Sequence, residues 1–372
     1  MRRLSRLLAG VLLLASTLAA DRPSVGRGNT PEVLRATARI TEEVIRAHTK
    51  FLASDLLEGR GPATRGDSLA ETYIQSQMEA MGVKPGAPGG GWIQKVPLVG
   101  VKASFSAPAV FRSGRGSAEG VPGDPMLSSE AVVYTAHHDH FGIKAGPRPE
   151  DDAIYNGAID NASGVASILS VARAFADLRR PPRRSVYFAF VAGEEQGLLG
   201  SQYFAMHPPV PVGRIAANIN IDEANWFGKT RDISLIGLGK SSLDRDVIAV
   251  AKTQGRAVKP DEFPDRGRFY RSDQFNFAKA GVPAAYLKFG TDVIGKPAGY
   301  GKEQVEAYEK NTYHQPSDEY RDGLDFSGAV QDARLAFLLG RRVANADAMP
   351  VWTKGDEFEA ARKKAVDAIK PR

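Results

Sequence analysis

Apolar positions along this chain follow two alternating periods. Leu69, Tyr73, Ile74, Met78 and Met81 recur at helical spacing, which predicts a helix over 66–82 stopped by Gly82. A second helix is expected over 31–53. From Ala131 onward the pattern becomes strand, loop, helix. Ala131-Val-Val-Tyr-Thr135 is β-rich, and Ser185-Val-Tyr-Phe-Ala-Phe-Val191 is a nearly continuous apolar run, as in a strand buried on both sides. Between them, Ala162 to Leu178 carries Val165, Ile168, Leu169, Ala172 and Phe175 on one helical face. Ile215–Ile221, Ile233–Leu238 and Pro283–Phe289 are further strand candidates, with helices near 243–254 and 327–344. Strands separated by helices imply an α/β fold in three layers, a mostly parallel sheet covered by helices on both faces. There is no internal repeat and no linker between two cores, so one domain over 21–372 is expected, its chemistry gathered in 131–320. The Pro/Gly-rich stretch 85–91 reads as a loop, and 102–125 as a loop or an irregular strand pair.

The N-terminus breaks this pattern. Arg2, Arg3 and Arg6 precede the apolar run Leu7 to Leu14, and small residues follow through Ala15, Ala19 and Ala20. This predicts a secretory signal peptide over 1–20, hence an exported, periplasmic or secreted protein. The run is short for a membrane span, which needs ~20 apolar residues, and no other segment approaches that length; no membrane association is expected after signal removal. The formal charge of +6 loses those three arginines with the signal and falls to +3, too mild a surplus for nucleic acid. Cysteine is absent from the 372 residues. Any metal or nucleophile must therefore come from His, Asp, Glu, Ser or Thr.

Five segments place acids and histidines where strands should end: Ala136-His-His-Asp-His-Phe-Gly142, Gly157-Ala-Ile-Asp-Asn-Ala-Ser-Gly164, Gly193-Glu-Glu-Gln-Gly-Leu-Leu-Gly-Ser201, Asn218-Ile-Asn-Ile-Asp-Glu223 and Tyr313-His-Gln-Pro-Ser-Asp-Glu319. Ligands of open α/β sheets bind beyond the carboxyl ends of the strands. Singly, each segment has an ordinary reading: Asp160 as a helix cap, Glu194-Glu195 as acids favoured at a helix start, Asp222 as a strand-end acid. Four of the six histidines fall in these segments, and His48 and His207 are expected at the surface. Together, several carboxylates at one sheet edge repel one another and raise one another's pKa values, so something positive must sit among them. Imidazole with carboxylate suits zinc. Two Zn²⁺ balance three carboxylates (Asp160, Glu195 and Asp222) and a bridging hydroxide, with one carboxylate shared between the ions.

In order and spacing, the five segments resemble family 28 of the metallopeptidases, which includes aminopeptidase Y, bacterial leucyl aminopeptidases, glutamate carboxypeptidases and glutaminyl cyclases. The likeness runs from about Leu57-Glu-Gly-Arg60 to Pro350-Val-Trp352. It implies a mixed sheet with a parallel centre and a pair of zinc ions. By motif, His137, Asp160, Glu195, Asp222 and His314 resemble the metal ligands, with Asp160 bridging. Asp139 resembles the acid that orients the first histidine, and Glu194 the general base. Relatives carry a cis peptide between the residues matching Asp160 and Asn161. His138 stands where many members have Tyr, and Gln274 where His is common.

The resemblance implies hydrolysis of a peptide substrate, with Glu194 moving the proton and Tyr270 assisting at the oxyanion. Aminopeptidase activity requires a group for the free amine, for which Glu223 and Asp273 are candidates. The alternative, a carboxypeptidase or dipeptidase, requires a cationic clamp, for which Arg271 or Lys288 would serve. A metal-free binding relative is disfavoured because no ligand-type residue is missing.

Overall fold

A computed structural model describes residues 30–97, 109–113, 127–146, 148 and 150–369. The expected signal peptide and most of the 102–125 stretch lie outside them. Ten strands are described: β1 Lys84–Pro85, β2 Ala109–Ser113, β3 Ala131–His137, β4 Gly142–Ile143, β5 Ile154–Tyr155, β6 Ser185–Val191, β7 Ile215–Asn220, β8 Asp232–Ile236, β9 Ala257–Lys259 and β10 Ala284–Phe289. The α-helices are α1 Pro31–Ala38, α2 Glu42–Leu52, α3 Arg65–Ala80, α4 Gly164–Ala176, α5 Leu199–Met206, α6 Leu243–Thr253, α7 Gln274–Lys279, α8 Tyr300–Asn311, α9 Ser327–Asn345 and α10 Glu359–Asp367.

Eight strands form one sheet in the order β1-β2-β6-β3-β7-β10-β8-β9, while β4 and β5 pair separately. The centre, β6-β3-β7-β10, is parallel; β2 joins β6 and β8 joins β10 antiparallel. The sheet is thus mixed with a parallel core. Its central strands are apolar along their length because both faces are covered. Val132, Tyr134 and Ala136 of β3, with Val186, Phe188 and Phe190 of β6, face one side and join α4 and α9 in the main core. Ala131, Val133, Tyr187, Ala189 and Val191 face the other and pack with Phe204 of α5 and Phe277 of α7. Period-two alternation within continuous hydrophobic runs therefore builds three layers.

One close approach fixes α9 against the sheet. Tyr134 Oη donates to the Ala336 carbonyl at 2.7 Å, and a Cβ at Gly340 would lie 1.8 Å from that same Oη. Only glycine fits there. Phe188 stacks on Tyr134 at 5.3 Å between centroids, and Phe175 meets Phe337 edge-on at 4.8 Å.

The long helix expected over 31–53 is two helices. Thr41 is extended and its Oγ1 accepts the Val44 N–H at 3.4 Å, capping α2 and ending the continuity. α8 goes unseen in the pattern because only Gly301, Val305 and Tyr308 of its twelve residues are buried. His48, expected at the surface, is buried, and its Nδ1 lies 2.8 Å from Tyr73 Oη. His207 is exposed, as expected.

Candidate active site

Three neighbouring parallel strands end side by side. His137, the last residue of β3, pairs in register with Val191 of β6, and Thr135 pairs with Asn220 of β7. The residues just past β6 and β7 therefore emerge at the level of His137, which brings Glu194, Glu195 and Asp222 to it. Asp160 arrives from the turn Ala158–Ser163 that enters α4, where the Asp160–Asn161 peptide is cis. Gly157 begins that turn at φ +53, and a Cβ there would meet the Asp160 carbonyl oxygen at 2.2 Å. Asp318 holds the turn: its Oδ1 accepts the Ile159 N–H at 3.1 Å and its Oδ2 the Asp160 N–H at 3.0 Å.

Asp160 stands between two histidine–carboxylate pairs. On one side, His137 Nε2 lies 3.2 Å from Asp160 Oδ1 and 3.2 Å from Asp222 Oδ1. On the other, His314 Nε2 lies 3.2 Å from Asp160 Oδ2 and 3.2 Å from Glu195 Oε2. Asp139 is fully buried behind His137, with 3.7 Å between His137 Nδ1 and Asp139 Oδ1, and that oxygen accepts the Glu194 N–H at 3.3 Å. Donor atoms of His137, Asp160 and Glu195 lie within 4.8 Å of one another, as do those of His137, Glu194 and Asp222.

The electrostatics ask for a cation. Burial disfavours charge on His137, yet Glu194, Asp222 and Asp160 around it hold its pKa well above the usual imidazole range. Burial likewise opposes charge on His314, but Asp160 and Glu195 push it up to about 9. Asp160 is buried too, and its two histidine partners keep it well below the ordinary carboxylate value. Burial pushes Glu194 well up and Asp139 up to about 6. Carboxylates gathered round both imidazoles call for positive charge between them, which a divalent ion bound to neutral imidazole would supply. His314 Nε2 is buried and aimed at two carboxylate oxygens, yet forms no hydrogen bond among the described residues. This donor set, imidazole and carboxylate without thiolate, fits zinc.

The peptidase family M28 model matches residues 119–337, more than half of the chain and all five segments. The chain belongs to peptidase family M28. A probable zinc metalloprotease of Pyrenophora tritici-repentis is 47% identical over 66 residues, 18% of this chain and 15% of the relative. Leucine aminopeptidase 2 of Trichophyton rubrum is 28% identical over 203 residues, 51% of this chain and 37% of the relative. The chain thus spans well under half the length of these curated relatives. Among solved structures, the LapA aminopeptidase of Legionella pneumophila superposes with a TM-score of 0.60 at 18% identity, covering 85% of this chain and 75% of that one. At that identity the likeness is one of fold.

Within this M28 chain, the five expected ligand residues form one cluster around Asp160, of which Asp160 and Asp222, with Glu194, line a cleft, and Asp139 lies behind His137. Tyr270 does not join them. It is 49% exposed and its hydroxyl donates to Glu357 Oε1 at 2.9 Å, because its short turn carries it to the outer surface. Tyr286 and Tyr313 line the cleft instead. Glu223 also lines it, but Lys288 Nζ lies 2.6 Å from its Oε2; burial pushes this carboxyl up to about 7. Asp273 is fully buried and does not line the cleft.

Several further residues support the site without being among the expected ligands. Arg60 is wholly buried and donates to the carbonyls of His138, Asn156 and Gly157 at 2.8, 2.6 and 3.0 Å, tying two site loops together. His140 Nδ1 lies 2.5 Å from Glu195 Oε1. Ser272 Oγ donates to Asp222 Oδ2 at 2.6 Å and Lys288 to the Asp222 carbonyl at 3.0 Å. The two departures from the family pattern are structural: His138 Nε2 meets Asp67 Oδ1 at 2.9 Å, and Gln274 Nε2 donates to the Phe269 carbonyl at 2.7 Å.

Proposed function

We propose that this chain is a zinc-dependent aminopeptidase that releases N-terminal residues from peptides, working as one catalytic domain exported by the signal at residues 1–20. The observation that carries the reading is Asp160, one oxygen turned to His137 and Asp222, the other to His314 and Glu195. Two cations sharing one carboxylate need this arrangement. His137 and Asp222 would hold one zinc, Glu195 and His314 the other, and Asp160 both. When bound, zinc lowers the pKa of water and polarises a carbonyl oxygen.

The chain's own residues then have distinct tasks. Glu194, which lines the cleft, takes a proton from the attacking water and returns it to the leaving amine nitrogen. The backbone carbonyl of Asp139, 3.2 Å from His137 Nδ1, fixes the tautomer of His137, and the Asp139 carboxylate, through the Glu194 N–H, positions the base. Tyr286 and Tyr313, which line the cleft, are the hydroxyls that would donate to the scissile carbonyl oxygen.

The test is a panel of short peptides, free, N-blocked and C-amidated, given to the purified protein with chelator and with added zinc. Chelator-sensitive release of N-terminal residues, lost on blocking the amine and kept on amidation, is expected. Activity abolished on amidation of the longer peptides as well as of dipeptides would instead assign a carboxypeptidase or dipeptidase. Elemental analysis should give two zincs per chain.

A further inference from the structure

Three guanidinium groups, Arg266, Arg268 and Arg271, line the same cleft as Asp160, Glu194 and Asp222, a space of about 240 Å³. All three come from one short stretch between β9 and α7. Like charges this close repel unless something negative lies among them. Part of the compensation is internal. Arg268 reaches Glu309 Oε1 at 2.5 Å and Asp261 Oδ1 at 3.5 Å. Arg266 pairs with the same Glu309, and its guanidinium carbon sits 3.8 Å over the Phe263 ring. The fourth cation of the cleft, Lys288, is matched by Glu223.

The acids of the cleft are thereby fully engaged. Asp160, Glu194 and Asp222 face His137 and the metal side, Glu223 holds Lys288, and Glu309 serves two arginines at once. Arg271 is left over. It is exposed, lines the cleft, and forms no ion pair or side-chain hydrogen bond with any described residue. Guanidinium presents a planar fork that matches a carboxylate, and such charge-assisted pairs are the strong ones.

From this imbalance we infer that the wall formed by Arg271, backed by Arg266 and Arg268, is a subsite for a carboxylate of the substrate beside the scissile bond. Two sources share that chemistry: an acidic side chain, or the C-terminal carboxylate of a dipeptide. The inference rests on the peptidase reading and narrows it to acidic or very short substrates.

The experiment compares three substrates with free amines: Leu-Ala amide, which has no carboxylate; Glu-Ala amide, with a side-chain carboxylate only; and Leu-Ala, with a terminal carboxylate only. The wild-type protein should prefer one of the two carboxylate-bearing peptides over Leu-Ala amide by about tenfold or more in kcat/KM, mainly through KM. Whichever is preferred identifies the source. In R271Q that preference should collapse towards one, and R271K should keep part of it. Unchanged thermal unfolding and zinc content in R271Q would show that the surface substitution leaves the site built. Equal cleavage of all three peptides, or a preference that survives R271Q, overturns the inference. Should no peptide be cleaved, the peptidase reading falls, and calorimetric binding of L-glutamate against L-glutamine decides the subsite by itself. Tighter glutamate binding that R271Q abolishes supports it, and equal affinities overturn it.

Discussion

Asp318 accepts the backbone N–H of Asp160 at 3.0 Å, holding from behind the residue that sits between both histidine pairs. The same carboxylate accepts the Ile159 N–H and the Tyr308 hydroxyl, the latter at 3.1 Å. The Asp160 backbone cannot move away from the histidines without breaking this bracket. In D318N one acceptor becomes a donor facing an N–H. Zinc affinity should fall by roughly 10–100-fold, the usual effect of removing a group that orients a ligand. A titration against a competing chelator reads this, with circular dichroism as a check on folding. Unchanged affinity would mean that the turn is fixed by other contacts.

Glu194 and Glu195 are adjacent but assigned to different work. E194Q keeps shape and hydrogen bonding while removing the base. Zinc content should stay at the wild-type level and kcat should drop by about 10²–10⁴-fold. E195Q should instead lose zinc. Full turnover in E194Q would remove it from the proton path.

Gly340 lies against the hydroxyl of Tyr134. G340A puts a methyl 1.8 Å from that oxygen, so α9 or the ring must shift. Overpacking of this kind costs about 1–3 kcal/mol, measurable by chemical denaturation. Adding Y134F removes the oxygen and should recover part of the loss, although Y134F alone gives up the bond to the Ala336 carbonyl.

His48 supplies a pH dependence remote from the site. Burial lowers its pKa from 6.5 to about 4 in the folded chain. The unfolded chain therefore binds the extra proton between those values, and stability rises with pH through that window. The contribution is complete above about 6.5 and is lost as the pH falls towards 4, by about 3 kcal/mol in all. H48Q cannot titrate, so its unfolding free energy should fall less than that of wild type between pH 7 and 4.5. Parallel losses in the two proteins would place the acid sensitivity elsewhere.

Much of the site was legible because strand and helix periods are local. The runs 131–135 and 185–191 announce buried strands, and acids or histidines directly after them must sit at one edge of a parallel sheet. The choice of His137, Asp160, Glu195, Asp222 and His314 as ligands rests on the likeness of their segments to the family's motifs, which period alone does not supply. Tyr270 could not be placed, because its direction depends on a short turn after Gly267, whose φ of +61 sends the next residues outward. Arg60, Asp318 and His140 carry no periodic mark; they matter only through distant carbonyls, N–H groups and a carboxylate.

By itself, then, the sequence determined the central strands and the main helices that cover them, that the sheet is buried on both faces, and which residue types gather at its carboxyl edge. These follow from side-chain period and from charge, both readable along the chain. Tertiary structure alone decided that one carboxylate of Asp160 faces both histidines, that Arg60 and Asp318 hold its loops, and that three arginines converge on one wall of the cleft. The first two relations join residues tens to more than a hundred positions apart, the arginines reach the site from a distant segment, and only packing sets the distances between them.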